Sequence, residues 1–134
     1  MDTFGLQPSQ LVCLELSHGN HQTMLYAEVI QLVVERAICW ARPLVMLHVP
    51  GTAIAPGVDW MDVLKDADWI DLRDSPDLLL PISLFRAAFD TEVLPIITQL
   101  HATKPPEERD RQVHQQVRSF VQELCIAHPD AFEN

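Results

Sequence analysis

The sequence predicts an α+β protein, with an antiparallel sheet of four to five strands in its N-terminal part and two or three C-terminal helices packed on one face. Three observations predict it. Met24–Val49, MLYAEVIQLVVERAICWARPLVMLHV, reads with period two and is rich in β-branched residues. Short apolar runs between turn clusters continue to about residue 80. From Pro81 onward, capped segments with helical spacing take over, and strands first with helices last is the α+β pattern. The strands are expected over about 11–80 and the helices over about 83–128, within a single domain, 1–134.

Each element has its reason. Leu11–Leu16 alternates around Glu15 and is closed by the turn cluster Ser17-His18-Gly19-Asn20. Met24–Val49 reads as two long antiparallel strands, about 24–34 and 37–48, turning near Glu35-Arg36. Its alternative is a helix capped by Asn20 and ended by Pro43, followed by a strand over Leu44–Val49. The turn lacks the Gly or Asn of a tight hairpin, and the helix lacks a polar stripe. Pro50-Gly51 opens a loop, and Asp59 can cap a short helix over Trp60–Leu64. Trp69–Leu72 and Asp77–Leu80 read as short strands around Asp74-Ser75-Pro76. Ser83 can cap Leu84–Phe89, and Asp90 or Thr91 a segment to His101. Pro95 is tolerable there only in a first turn, so a kink or break is expected near Asp90. Pro106 opens the last helix, with Glu107 and Glu108 in its first turn. Val113, Val117, Phe120 and Leu124 make its apolar stripe, and Pro129 ends it.

Composition narrows the function classes. Nineteen Asp and Glu against nine Lys and Arg give a formal net charge of −10. Such a surface repels phosphate backbones and anionic bilayers, which argues against nucleic-acid and membrane partners. Met1–Gln10 lacks a basic region followed by an apolar run, so no secretory signal is expected there. The longest apolar stretch is interrupted by Glu28, Gln31, Glu35, Arg36 and Arg42 and cannot span a bilayer. Cys13, Cys39 and Cys125 are odd in number and far apart, which suits reduced thiols in a cytoplasmic protein.

Helices on the small-residue face of the hairpin would leave the other face without cover. That face carries Tyr26, Ile30, Trp40, Arg42, Leu44 and Met46, and these six are the expected partner-binding residues. Aromatic and Arg side chains dominate binding hot spots, and a large exposed apolar face is a mark of association. The expected partner is a protein, engaged through a peptide segment or a free sheet edge, and the chain is expected to form a homodimer. The alternative is a sheet that curls into a small barrel and buries the same residues.

No constellation points strongly to chemistry. No Ser stands in a nucleophile elbow, and no Gly-rich loop follows a strand to hold phosphate. Cys13, His18 and His21 have a spacing compatible with zinc but lack a fourth ligand nearby, so a Cys/His metal-dependent protein or enzyme is the alternative reading. Cys39 and Cys125 read as packing residues, and His101 and His128 suit helix C-termini. Asp59, Asp62, Asp66, Asp68, Asp71, Asp74 and Asp77 form an acidic segment beside Trp60 and Trp69. It reads as a solvated edge, or as a receiver of a basic peptide. No catalytic residue, metal or cofactor is therefore expected.

Two runs, LYAEVIQLVVERAICWARPLVML at 25–47 and DLRDSPDLLLPISLFRAAFDTEVLP at 71–95, together resemble small cyanobacterial proteins. Among these the resemblance is to the CcmS type, assembly factors of the β-carboxysome that engage the C-terminal tail of a shell protein. Assembly factors or subunits of photosynthetic complexes are a second family of this kind. The resemblance implies a non-enzymatic assembly factor or adaptor and assigns no binding residue position by position.

Overall fold

Met24–Val49 forms a hairpin, not a helix followed by a strand. The computed structural model describes residues 5–51, 57–104 and 111–132. Its elements are β1 (Leu11–His18), β2 (His21–Val33), β3 (Ile38–Pro50), α1 (Trp60–Asp66), β4 (Asp68–Asp71), β5 (Leu78–Pro81), β6 (Arg86–Ala87), α2 (Asp90–Ala102) and α3 (Arg111–Ala127). The strands form one six-stranded sheet in the order β4-β3-β2-β1-β6, with β5 also on β3. All pairings are antiparallel, and the protein is α+β. The open ends of this order exclude the closed barrel.

The turns explain how the hairpins close. Gly19 takes φ +52° in the two-residue turn between β1 and β2, a conformation glycine adopts without a Cβ clash. Between β2 and β3 a 3₁₀ turn, Val34–Arg36, ends on Ala37 in the left-handed region at φ 54°. This longer loop closes the hairpin without the Gly or Asn that a tight turn would need.

The two short strands do not pair with each other. β4 pairs with Val45–His48 and β5 with Ile38–Ala41, so they lie end to end along β3. Asp59 caps α1 as expected, accepting from the Met61 amide at 3.0 Å. Leu84–Phe89 is not helical, since a 3₁₀ turn at Ile82–Leu84 leads into β6. α2 then starts at Asp90 and runs unbroken through Pro95, which stands beyond the first turn. The expected start of the last helix, Pro106 to Glu108, lies outside the described residues.

Helices cover both faces of the sheet rather than one. Val12, Leu14, Leu25 and Ala27 pack with Val117, Phe120 and Leu124 of α3. Met24, Tyr26, Val45 and Leu47 pack with Trp60, Val63 and Leu64 of α1 and with Ile96 and Leu100 of α2. The hairpin is apolar on both sides because both sides are buried.

Two bulges distort the period-two pattern. Tyr26 pairs with Val45 but Ala27 with Pro43, leaving Leu44 as an extra residue in β3. Val29 pairs with Ala41 but Gln31 with Trp40, leaving Ile30 extra in β2. The shifts cancel in register, but each inverts the side on which later residues of its strand stand. Met46 therefore joins the α3 side and Val45 the α1–α2 side, the reverse of strict alternation.

Phe120 is the central contact of α3. Phe120→Ala is expected to cost about 3–5 kcal/mol by urea denaturation, whereas Ile126→Ala, on the exposed side of the same helix, should stay within about 0.5 kcal/mol.

Candidate functional site

The structure separates the six residues expected to bind a partner. Tyr26 and Met46 are each only 1% exposed and lie on opposite faces of the sheet. Their placement on an open face is corrected: α2 covers the first, and the Leu44 bulge turns the second toward α3. Ile30 and Leu44, the two bulge residues, are half-buried. Trp40 and Arg42 lie on the same face as Tyr26, at the turn end of the hairpin beyond the Met24–Val45 region that α1 and α2 cover.

There the residues form an ordered patch. The Trp40 indole N–H donates to Asp77 Oδ2 at 2.8 Å, and Arg42 Nε stands 3.7 Å from Asp77 Oδ1. One carboxylate thus holds the Trp40 indole by a hydrogen bond and forms a looser ion pair with Arg42. Across the strands Trp40 pairs with Leu79 on one side and Gln31 on the other, and Arg42 pairs with Glu28. Leu79 is 65% exposed on β5, an edge strand. Next to the patch, Leu11, Glu28, Leu44, Ile97, Leu100 and His101 line a groove of about 340 Å³. Arg73 holds one wall of it: it binds Asp71 through two nitrogens and donates to the carbonyls of Leu100 and Thr103 at 3.0 and 2.8 Å. β4 and the end of α2 are thereby tied together.

A second opening is the outer edge of β1. β6 covers only Val12 and Cys13, and Ala88 N donates to the Leu11 carbonyl. Residues 11 and 13 thus turn their backbone groups outward, and Glu15 and Ser17 follow them without a strand partner among the described residues. That is a short edge, room for a few ladder bonds.

Between β1, β2, β6 and α2 lies a buried cluster of titratable groups. Glu92 is 0% exposed. It accepts from Tyr26 Oη at 2.9 Å, from Arg86 Nη1 and Nη2 at 2.9 and 2.7 Å, and from the Phe89 amide at 2.7 Å. Arg86 continues to Glu15 at 2.6 Å. Burial opposes the Glu92 charge, but the hydrogen bonds from Arg86, Phe89 and Tyr26 outweigh it, so the carboxyl is held below its ordinary range. Burial pushes the Cys13 thiol and the Tyr26 phenol strongly upward, and both stay protonated. Burial alone pushes Cys39 up to about 11. The four donors on one buried carboxylate join β2, β6 and the start of α2 in a hydrogen-bonded junction. Sequence reading passed over Glu92. Its signal was a Glu three residues into a helix, able to reach back to the first free amide.

The suggested Cys13, His18 and His21 set does not assemble. Cys13 belongs to the α1–α2 face, whereas His18 and His21 pair across the β1–β2 turn on the α3 face. No group of three His, Cys, Asp or Glu among the described residues is placed to hold a metal ion. The acidic segment is largely occupied: Asp59 caps α1, Asp71 binds Arg73, Asp77 binds Trp40, and Asp62 lies 3.5 Å from Lys65. Trp60, the first residue of α1, is buried in the core, and the half-buried Trp69 packs against the same cluster.

No known protein family, curated protein or solved structure matches this chain. No helix among the described residues is long and apolar enough to cross a membrane.

Removing one member of the buried junction leaves the others uncompensated. Glu92→Ala is expected to cost about 3–5 kcal/mol by chemical denaturation. The Glu92 pKa is lower folded than unfolded, so its contribution is complete above the ordinary value of 4.5 and fades as pH falls below it. The Glu92→Ala penalty should therefore shrink steadily in melts taken from pH 5 toward pH 3.

Proposed function

We propose that this chain is a non-enzymatic protein-interaction module, an assembly factor that holds a flexible segment of a protein partner against the patch built on Trp40. The observation that supports the reading is Trp40 held by the Asp77 carboxylate with Arg42 beside it, next to an exposed Leu79 and an open groove. Pre-fixed aromatic and Arg side chains lose little entropy on binding and are the residues that dominate interfaces. Of the six residues first singled out, Trp40, Arg42, Ile30 and Leu44 remain in this role. The site asks for binding rather than turnover: it offers an aromatic, an aliphatic and paired charges, with no activated nucleophile or base.

The resemblance to cyanobacterial assembly factors narrows the proposal to the tail of a carboxysome shell protein, or to a subunit of a photosynthetic complex, met in the cytoplasm. A second reading uses the same patch as the seam of a homodimer, which the 65% exposed Leu79 on an edge strand favours.

Capture from native lysate with wild type and Trp40→Ala side by side tests the first reading, with circular dichroism to show that the variant folds. A partner captured by the wild type and lost with the folded variant is expected; equal capture by both would overturn it. Sedimentation of wild type and Leu79→Glu tests the second. A dimer that dissociates in the variant is expected, and a monomeric wild type removes the seam.

A further inference from the structure

On the opposite face, the far end of the sheet meets α3 around a cleft of about 590 Å³. This size suits a small solute. Its floor is Met46 and Phe120, both part of the core under α3. Its rim is made of His18, His21 and His48 from three strands and Gln115, Gln116 and Ser119 from α3. The antiparallel register brings the imidazoles together: His18 pairs with His21 across the turn, and His48 pairs with Thr23, two residues further along β2. We propose that this cleft binds a small oxyanion, a solute bearing a phosphate or carboxylate group.

Three features select that class. First, the rim has unspent hydrogen-bonding groups. Thr23 Oγ1 takes His48 Nδ1 at 2.9 Å, which leaves Nε2 on the other side of the ring. His21, Gln115, Gln116 and Ser119 have no side-chain partner among the described residues. Imidazole, amide and hydroxyl groups all donate to oxygen. Second, the charge balance is unusual for a chain of net charge −10. Glu123 is the only carboxylate among the described lining residues, and His18 Nε2 already holds it at 2.7 Å. The charge-bearing groups facing the cleft are His18 from β1, His21 from β2, His48 from β3 and Glu123 from α3. Imidazole is the side chain able to carry positive charge near neutral pH, and three of them stand here against one carboxylate. Third, the imidazoles do not converge as metal ligands. They surround a space instead of a point, which suits an anion larger than a single atom.

Calorimetric titration of the full chain with inorganic phosphate, and separately with citrate, at pH 6 and pH 8 tests this. Binding of phosphate or citrate at pH 6, weakened several-fold at pH 8, is the expected result, and the preferred probe tells a phosphate solute from a carboxylate. His21→Gln/His48→Gln, with melting checked in parallel, should weaken binding roughly tenfold at pH 6 through the loss of two imidazole donors. Gln116→Leu, exposed on α3, is the second variant should the double one not fold, and it too should weaken binding. No binding of either probe at pH 6 would overturn the proposal. So would undiminished binding by the folded variants, or stoichiometric Zn²⁺ uptake with no anion bound.

Discussion

The carboxylate of Glu92 is the point on which the arrangement depends. It is fully buried, and it draws Arg86 of β6, Tyr26 of β2 and the first free amide of α2 onto two oxygen atoms. A charge in that position is tolerable only because each lone pair has a donor. Its demands fix other choices. β6 needs only two residues because its Arg86 is anchored on both sides, to Glu92 and to Glu15. α2 needs no side chain at its cap position, since Glu92 reaches back to the Phe89 amide. Tyr26 can lie wholly inside because its hydroxyl has an acceptor. The junction also ties the first turn of α2 to β2 and β6.

Much of the fold was legible from pattern. Period-two spacing and β-branched residues marked β2 and β3, Asp59 marked the start of α1, and the Val117, Phe120 and Leu124 stripe marked the buried side of α3. Placement of helices was less legible. Nothing local in the sequence of α1 or α2 says which face of a distant sheet they cover, and an apolar strand buried on both sides looks the same as one with a bare side. Bulges made this worse. Pro43, inside a central strand, is a signal for the extra residue at Leu44, but no Gly or Pro stands beside Ile30, and each bulge turns part of a strand over.

That inversion accounts for the mixed fate of the partner-binding residues. Tyr26 and Trp40 do share a face, but one lies under a helix and the other beyond it. Met46 lies across the bulge from Trp40 and so faces away. The Trp40–Asp77 contact joins a residue of β3 to one in the loop just before β5 and could not be read from spacing, although Asp77 belongs to the acidic segment. The histidine cleft follows the same rule: a turn places His18 beside His21, but only the register of β3 brings in His48.

Cover on both faces of one hairpin also has a consequence for synthesis. The long strands emerge first, whereas the two longer helices that shield them, α2 and α3, come from the second half of the chain. Domains gain their fold as the chain grows at about 5–20 residues per second, and exposed apolar surface invites aggregation during that interval. Until α2 and α3 are made, one side of the nascent hairpin is bare and the other has only α1 to cover it. The protein is thus most vulnerable while still on the ribosome, and a chaperone that shelters the early strands would act on both sides of the same ribbon.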